Sequence, residues 1–288
     1  MSLDVTSAAT VRKGLAQHGY IVDDALATSV YLALRMQRPL FVEGAPGVGK
    51  TLLARVLAAA LDTELVRLQC HEGLDLSQAA YEWNYPRQLL ELQGRDVDVK
   101  ELYRADNLIA RPLLSAIDPK RAKPPVLLID ELDRADEEFE SFLLELLAEF
   151  QITIPELGTI SAAHRPVVVL TSNRTRDVHD ALKRRCLYHW IDYPSFETEL
   201  AIVESRVPEL DKQLAAQVVR FAQRVRREDL AKLPGVAETV DWAEALALLG
   251  IGTLAAEPVR STLGLLLKYH DDLERIGRVA DALVQETA

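Results

Sequence analysis

Eight consecutive residues, Gly44-Ala45-Pro46-Gly47-Val48-Gly49-Lys50-Thr51, leave few folds open to this chain, because of what stands on either side of them. Leu40 to Val42 is short and apolar and reads as a buried strand, whereas Thr51 to Leu61 is rich in Ala and Leu and reads as a helix. A strand, a glycine-rich turn and a helix in that order make a cradle for phosphate groups. The glycines let backbone N–H groups turn inward, and the helix N-terminus adds a favourable dipole. The pattern G-x-x-x-x-G-K-[ST] is met in full, which assigns Lys50 to the β and γ phosphates of ATP and Thr51 to Mg²⁺. Gly44, Ala45, Pro46, Gly47, Val48, Gly49, Lys50, Thr51 and Leu52 are the candidate nucleotide contacts. The plainer reading, a turn with a solvated lysine, leaves the flanking strand and helix without a purpose.

Further short apolar segments follow at Leu65 to Gln69, Val126 to Ile129, Val167 to Leu170 and Tyr188 to Ile191, joined by helical stretches. Together with Leu40 to Val42 they predict an α/β fold: a five-stranded parallel sheet flanked by helices. Val30 to Met36 reads as a helix that ends before Arg38-Pro39. From about Pro194 the strands cease, and Phe196 to Val207, Asp211 to Arg226, Asp241 to Leu249 and Val259 to Leu283 all carry helical periodicity. The expected division is an α/β nucleotide-binding domain over residues 1–194 and a small all-helical lid domain over 195–288, which a chain of 288 residues can house. One hairpin is expected at Gln151 to Ala162, where Ile152 and Ile154 alternate, Pro155-Glu156-Leu157-Gly158 turns, and Ile160 returns.

Three more groups carry chemistry. Val126-Leu127-Leu128-Ile129-Asp130-Glu131 delivers two adjacent carboxylates to the carboxyl end of a strand, where α/β sheets bind ligands. Asp130 is the candidate Mg²⁺ residue, and Glu131 the candidate base that orients and deprotonates water. The alternative is that both cap a helix beginning at Leu132. Asn173, closing Val167-Val168-Val169-Leu170-Thr171-Ser172, is a candidate sensor of the γ-phosphate, although a terminal Asn also starts turns. Arg184 and Arg185, in Leu182-Lys183-Arg184-Arg185-Cys186, are candidates for an arginine finger offered to a neighbouring subunit, against the reading that the helix dipole alone favours them there.

Bulk properties narrow the function classes. Net charge is −11 and the basic residues are dispersed, which argues against a phosphate-backbone footprint and so against nucleic acid as a partner. No apolar run is long enough to span a membrane. Met1 to Leu15 lacks the order of a secretory signal and two unspaced cysteines, Cys70 and Cys186, make no disulfide framework, so the cytoplasm is expected. Both cysteines read as buried thiols, and His71 and Glu72 as a polar loop without metal-ligand spacing. A clamp or helicase loader is the competing function class, and a P-loop transferase or GTPase a third that lacks an Asn-Lys-x-Asp motif.

Taken in order, these elements resemble the AAA+ superfamily. The hairpin ahead of the sensor strand matches an insertion of one of its branches, and Asp130-Glu131-Leu132-Asp133-Arg134-Ala135, Ile154-Pro155-Glu156-Leu157-Gly158-Thr159 and Leu182-Lys183-Arg184-Arg185-Cys186-Leu187 resemble the MoxR family over nearly the whole chain. Tyr81-Glu82-Trp83-Asn84-Tyr85-Pro86 and Tyr188-His189-Trp190-Ile191-Asp192-Tyr193-Pro194 are similar to its CoxD-like subgroup. The resemblance implies ATP hydrolysis in a homo-oligomeric, hexameric ring, a von Willebrand factor A (VWA) domain partner, and a metalloenzyme client; for the subgroup that client is a molybdenum-containing carbon monoxide dehydrogenase. It also implies Arg185, rather than Arg184, as the finger. One departure stands out: the second sensor Arg of the lid has no counterpart in Glu238-Thr239-Val240-Asp241-Trp242-Ala243, so either Arg260 takes over the contact or lid closure is driven by something else. Trp83 and Tyr85, in the segment after the second strand, are open to partner binding or to packing within their own subunit.

Overall fold

The computed structural model describes residues 3–92 and 102–287. Its strands are β1 (Leu40–Gly44), β2 (Leu65–Gln69), β3 (Tyr81–Trp83), β4 (Leu108–Ala110), β5 (Val126–Asp130), β6 (Gln151–Ile154), β7 (Gly158–Ser161), β8 (Val167–Ser172) and β9 (Leu187–Ile191). Five of them form the expected parallel sheet in the order β2-β5-β8-β1-β9. The chain leaves β1 in the interior and crosses to the edge strand β2, and β1, β8 and β5 each have a strand on either side, the arrangement of a parallel sheet's buried centre. That explains why β1 and β5 are buried at every position. These strands run further than their apolar stretches, to Gly44, Asp130 and Ser172, because the ladder continues through the polar ends: Gln69 stands opposite Asp130, and Glu43 opposite Ser172.

By packing, the chain forms two compact units, one from the described parts of 1–14, 24–43 and 51–190, the other from those of 15–23, 44–50 and 191–288. In the first, Phe41, Leu127, Ile129, Val168 and Leu170 of the sheet pack with Leu143 and Leu146 of the helix Glu137–Glu149. The hairpin β6–β7 lies where the alternation placed it, with Gly158, the first residue of β7 after the turn, at φ 84°, a conformation that favours glycine. The helix expected at Val30 to Met36 begins earlier, spanning Asp24–Met36. Its first turns contain Thr28 and Ser29, weak helix formers whose hydroxyls here donate to the carbonyls of Asp24 and Ala25 at 2.7 and 3.0 Å. The antiparallel pair β3–β4 and the helix Tyr85–Leu92 are additions to the predicted elements, and residues 93–101 of that insertion lie outside the described residues.

In the second unit, Phe221, Val218, Trp242, Leu246, Leu263 and Ile276 form a helical core. Trp242 is fully buried, with its indole N–H donating to the Thr262 hydroxyl at 2.8 Å and its ring 5.2 Å from that of Phe221. The long helix expected over Val259 to Leu283 is two helices, Ala256–Leu266 and His270–Gln285. Leu267 is extended (φ −115°, ψ 144°) and buried, and the Lys268 ammonium donates to the carbonyls of Gly264 and Leu265 at 3.1 and 2.8 Å, satisfying the end of the first helix. The helix expected from Asp241 starts at Val236 instead. Arg226 and Glu199 make a buried, two-pronged ion pair at 2.6 and 2.7 Å, and Arg226 also donates to the Pro234 carbonyl at 2.7 Å and lies over the Tyr193 ring. Breaking such a pair from one side leaves a buried charge uncompensated.

Candidate nucleotide site

In the first unit the site is organised around Asp130, buried at the end of β5. The Thr51 hydroxyl donates to its carboxylate at 2.9 Å, the Thr171 hydroxyl at 2.6 Å, and the Arg67 guanidinium at 2.6 and 3.1 Å. Every donor offsets the cost of burying the charge. Thr51 and Asp130, the two candidate metal residues, are therefore side by side. Because Thr51 gives its proton to Asp130, its oxygen lone pairs face away from the carboxylate, and the pair supplies the hard oxygen ligands that suit Mg²⁺.

Glu131 follows in the left-handed region (φ 55°, ψ 50°), with its N–H on the Thr171 hydroxyl at 3.0 Å. A non-glycine residue held there is strained, and such strain gathers at functional positions. Its carboxylate pairs with Arg134 at 3.1 Å. The side chain caps nothing: no cap bond serves the short turn Leu132–Arg134, and the next helix is capped by Asp136, which accepts from the Phe139 N–H at 2.8 Å. The helix-capping alternative for Asp130 and Glu131 thus fails on geometry. Asn173 stands just past β8, its N–H on Asp133 at 3.2 Å, and its side-chain amide has no hydrogen bond among the described residues.

In the second unit, Lys50 is buried and its ammonium donates to the carbonyls of Gly44 and Ala45, each at 2.8 Å, so it folds back along the loop it closes. Gly47 and Gly49 have φ of 79° and 96°, where a side chain would be strained. The loop is held from two sides. The buried Tyr20 hydroxyl donates to the Gly49 carbonyl at 3.1 Å, and burial, with Asp23 adding to it, raises the phenol above its ordinary value. From the other side, the N–H groups of Val236 and Ala237, in the first turn of the helix Val236–Leu248, reach the Gly47 carbonyl at 3.1 and 3.3 Å. Gly235 caps that helix, with its N–H on Glu238 at 3.0 Å.

Arg184 and Arg185 end the helix Asp180–Arg185, exposed, and neither side chain has a hydrogen-bond or ion-pair partner among the described residues. They do not join the residues around Asp130. Arg260, the substitute sensor weighed from sequence, is engaged elsewhere: it pairs with Asp281 and donates to the Gly277 carbonyl at 3.1 Å. Trp83 is buried in the first unit's core, edge-on to Tyr103 with centroids 5.1 Å apart, whereas Tyr85 is exposed. Cys70 and Cys186 are buried, and burial, reinforced by Asp130 for Cys70, pushes both thiols up to about 12. His71 and Glu72 are exposed, and the described residues contain no cluster able to hold a metal through His, Cys, Asp and Glu alone. Arg67, Asp133, Thr171 and Tyr20 went unmarked in the sequence, since each acts on a partner distant along the chain. Only Arg67 left a trace, as a charge inside the apolar alternation of β2.

A family profile described as AAA domain (dynein-related subfamily) matches residues 39–186, just over half of the chain. Over 215 residues the chain is 25% identical to the uncharacterized protein YeaC of Bacillus subtilis, covering 69% of this chain and 60% of that one. It is 26% identical over 208 residues to the gas vesicle ATPase GvpN of Haloferax mediterranei (67% and 58% covered), and 32% identical over 132 residues to midasin of Giardia intestinalis (46% and 2%). It spans less than two thirds of the length of each. A solved mutant form of RuvB from Thermotoga maritima shares the fold at a TM-score of 0.50 and 15% identity, with 90% of this chain and 70% of that chain covered. No described helix is long and apolar enough to cross a membrane. By its matched profile, which covers more than half of its residues, the chain belongs to the AAA domain family, dynein-related subfamily.

Proposed function

We propose that this protein is an ATPase that works as a ring, hydrolysing ATP to ADP and phosphate and using the motion to remodel a client protein. The observation that carries the reading is the Thr51 to Asp130 hydrogen bond at 2.9 Å, with Glu131 as the next residue and the Gly44–Lys50 loop leading directly into Thr51. In this reading Lys50 exchanges its loop carbonyls for the β and γ phosphates, Glu131 accepts a proton from the attacking water, and Asn173 orients that water. Thr51 and Asp130 would hold Mg²⁺, which when bound neutralises charge on the phosphate oxygens. Arg185, or Arg184 beside it, completes the site of a neighbouring subunit.

The finer assignment is to a MoxR-type, CoxD-like ATPase of the cytoplasm, hexameric, acting with a VWA-domain partner on a metalloenzyme such as a molybdenum-containing carbon monoxide dehydrogenase. It rests on the sequence stretches quoted above and on the hairpin β6–β7 preceding β8. Residues 1–194 would act as the motor and 195–288 as its lid. The likeness to RuvB is one of fold alone, and the net charge of −11 speaks against nucleic acid as the client.

The decisive measurement is phosphate release with Mg²⁺ and ATP. Wild-type protein should turn over, and Glu131→Gln should bind ATP while losing about 10²–10⁴-fold in rate, the range for loss of a general base. A wild-type protein inert at micromolar concentration would sink the reading. Proteins retained by the ATP-loaded Glu131→Gln variant would identify partner and client.

A further inference from the structure

Arg38 stands between the helix Asp24–Met36 and β1, and its side chain reaches the end of a helix far along the sequence. Its Nη2 donates to the carbonyls of Arg184 at 2.9 Å and Cys186 at 3.3 Å, and its Nε to that of Arg185 at 3.2 Å. The carbonyls of Arg184 and Arg185 belong to the last turn of the helix Asp180–Arg185, where backbone oxygens lack intrahelical partners and the dipole is negative. One planar guanidinium thus spans three consecutive carbonyls, a task its rigid fork suits and an ammonium does not. Beside it, the Leu187 N–H donates to the Pro39 carbonyl at 2.8 Å, so the residues after the helix are tied to the start of β1 as well.

The clamp grips main chain only. It fixes the backbone of the turn carrying Arg184 and Arg185, and leaves both side chains exposed and unpartnered among the described residues. The third cation of that turn, Lys183, is instead paired within the chain, with Asp177 at 4.0 Å. A helix end braced at three carbonyls, presenting two unpaired guanidiniums outward, is built to hold a charge in a defined place for something outside the chain.

We infer that Arg38 is a positioning residue for the Arg184–Arg185 pair, setting the geometry with which an arginine enters the neighbouring subunit's nucleotide site; this rests on the finger role proposed above. A misplacement of about 1 Å in a catalytic group costs on the order of a hundredfold in rate. Arg38→Ala should therefore lose turnover by about that factor while its own ATP affinity stays unchanged.

Mixing full-length variants tests this, because a finger acts in trans. An Arg38→Ala subunit keeps its own Glu131, and a Glu131→Gln subunit keeps its own Arg38 and Arg185. In mixed rings the first receives an intact finger from the second, so phosphate release should rise well above the sum of the two proteins measured apart. Arg185→Ala mixed with Glu131→Gln is the comparator. If that pair recovers and the Arg38 pair does not, Arg38 serves its own subunit and the inference is overturned; wild-type turnover by Arg38→Ala alone overturns it too. If the comparator itself fails to recover, or Arg184→Ala and Arg185→Ala both turn over normally, the shared-site reading falls and takes this inference with it. Thermal unfolding checks that Arg38→Ala is folded, and if it is not, Arg38→Gln goes through the same mixtures with the same readings.

Discussion

Asp133, three positions beyond Asp130, receives the N–H of Asn173 at 3.2 Å on one oxygen and the N–H and hydroxyl of Thr175 at 2.9 and 2.6 Å on the other. Burial opposes ionisation, but the hydrogen bonds from Thr175 and Asn173 outweigh it and hold the carboxyl below its ordinary value. A carboxyl depressed in the folded state stabilises the protein above its unfolded pKa, about 3.9, and that contribution is lost as pH falls through the folded value. Asp133→Asn should therefore cost about 1–3 kcal/mol at pH 7, the penalty for unpairing buried polar groups. Urea unfolding of the two proteins should converge as pH drops below about 4, and a gap independent of pH would contradict this account. The same residue shows where reading a sequence stops. Gly44 to Thr51 stood out as a candidate phosphate loop because its pattern is written in consecutive residues, and Asp130 and Glu131 as candidates because an apolar strand announces its own end. Asp133 was hidden because its partners, Asn173 and Thr175, come from another strand's loop, and a lone Asp carries no mark of that.

Elements were legible where one local signal sufficed. The five sheet strands were apolar runs bounded by turns, and the β6–β7 hairpin combined alternation with a Pro-Glu-Leu-Gly turn. The break between Ala256–Leu266 and His270–Gln285 was not, because apolar residues keep a helical rhythm through it while Lys268 quietly satisfies the open carbonyls. β3 was missed because three residues make no pattern and its partner β4 lies beyond an insertion. The helix Val236–Leu248 yields the sharpest prediction at this scale. A Cβ on Gly235 would meet the Gly47 Cα at 2.8 Å and the Pro46 carbonyl at 2.9 Å, backbone atoms that cannot step aside. Gly235→Ala should cost about 1–3 kcal/mol by overpacking and weaken ATP binding, whereas Gly252→Ala, with nothing within 4 Å, should be near neutral. Melting curves and nucleotide titrations on the two variants check it, and equal behaviour would refute the contact's importance.

For the whole molecule, Arg184 and Arg185, exposed and without side-chain partners among the described residues, look outward on a chain of net charge −11. If a neighbour's arginine completes each site, specific ATPase activity should climb with protein concentration and reach a plateau as rings fill, while Arg185→Ala should stay low throughout. Turnover rates measured across a dilution series decide this, and activity per subunit that never varies would leave no room for a shared site. The join between Gly47 and the Val236–Leu248 helix has a different kind of consequence. It is made by a carbonyl and two amide hydrogens, with no rotamer to flip and no charge to titrate. The loop and that helix are thus held together through main chain alone. Proline at Val236 or Ala237, by removing an amide hydrogen, would loosen the join, and a catalogue of side chains alone would never disclose that they are joined.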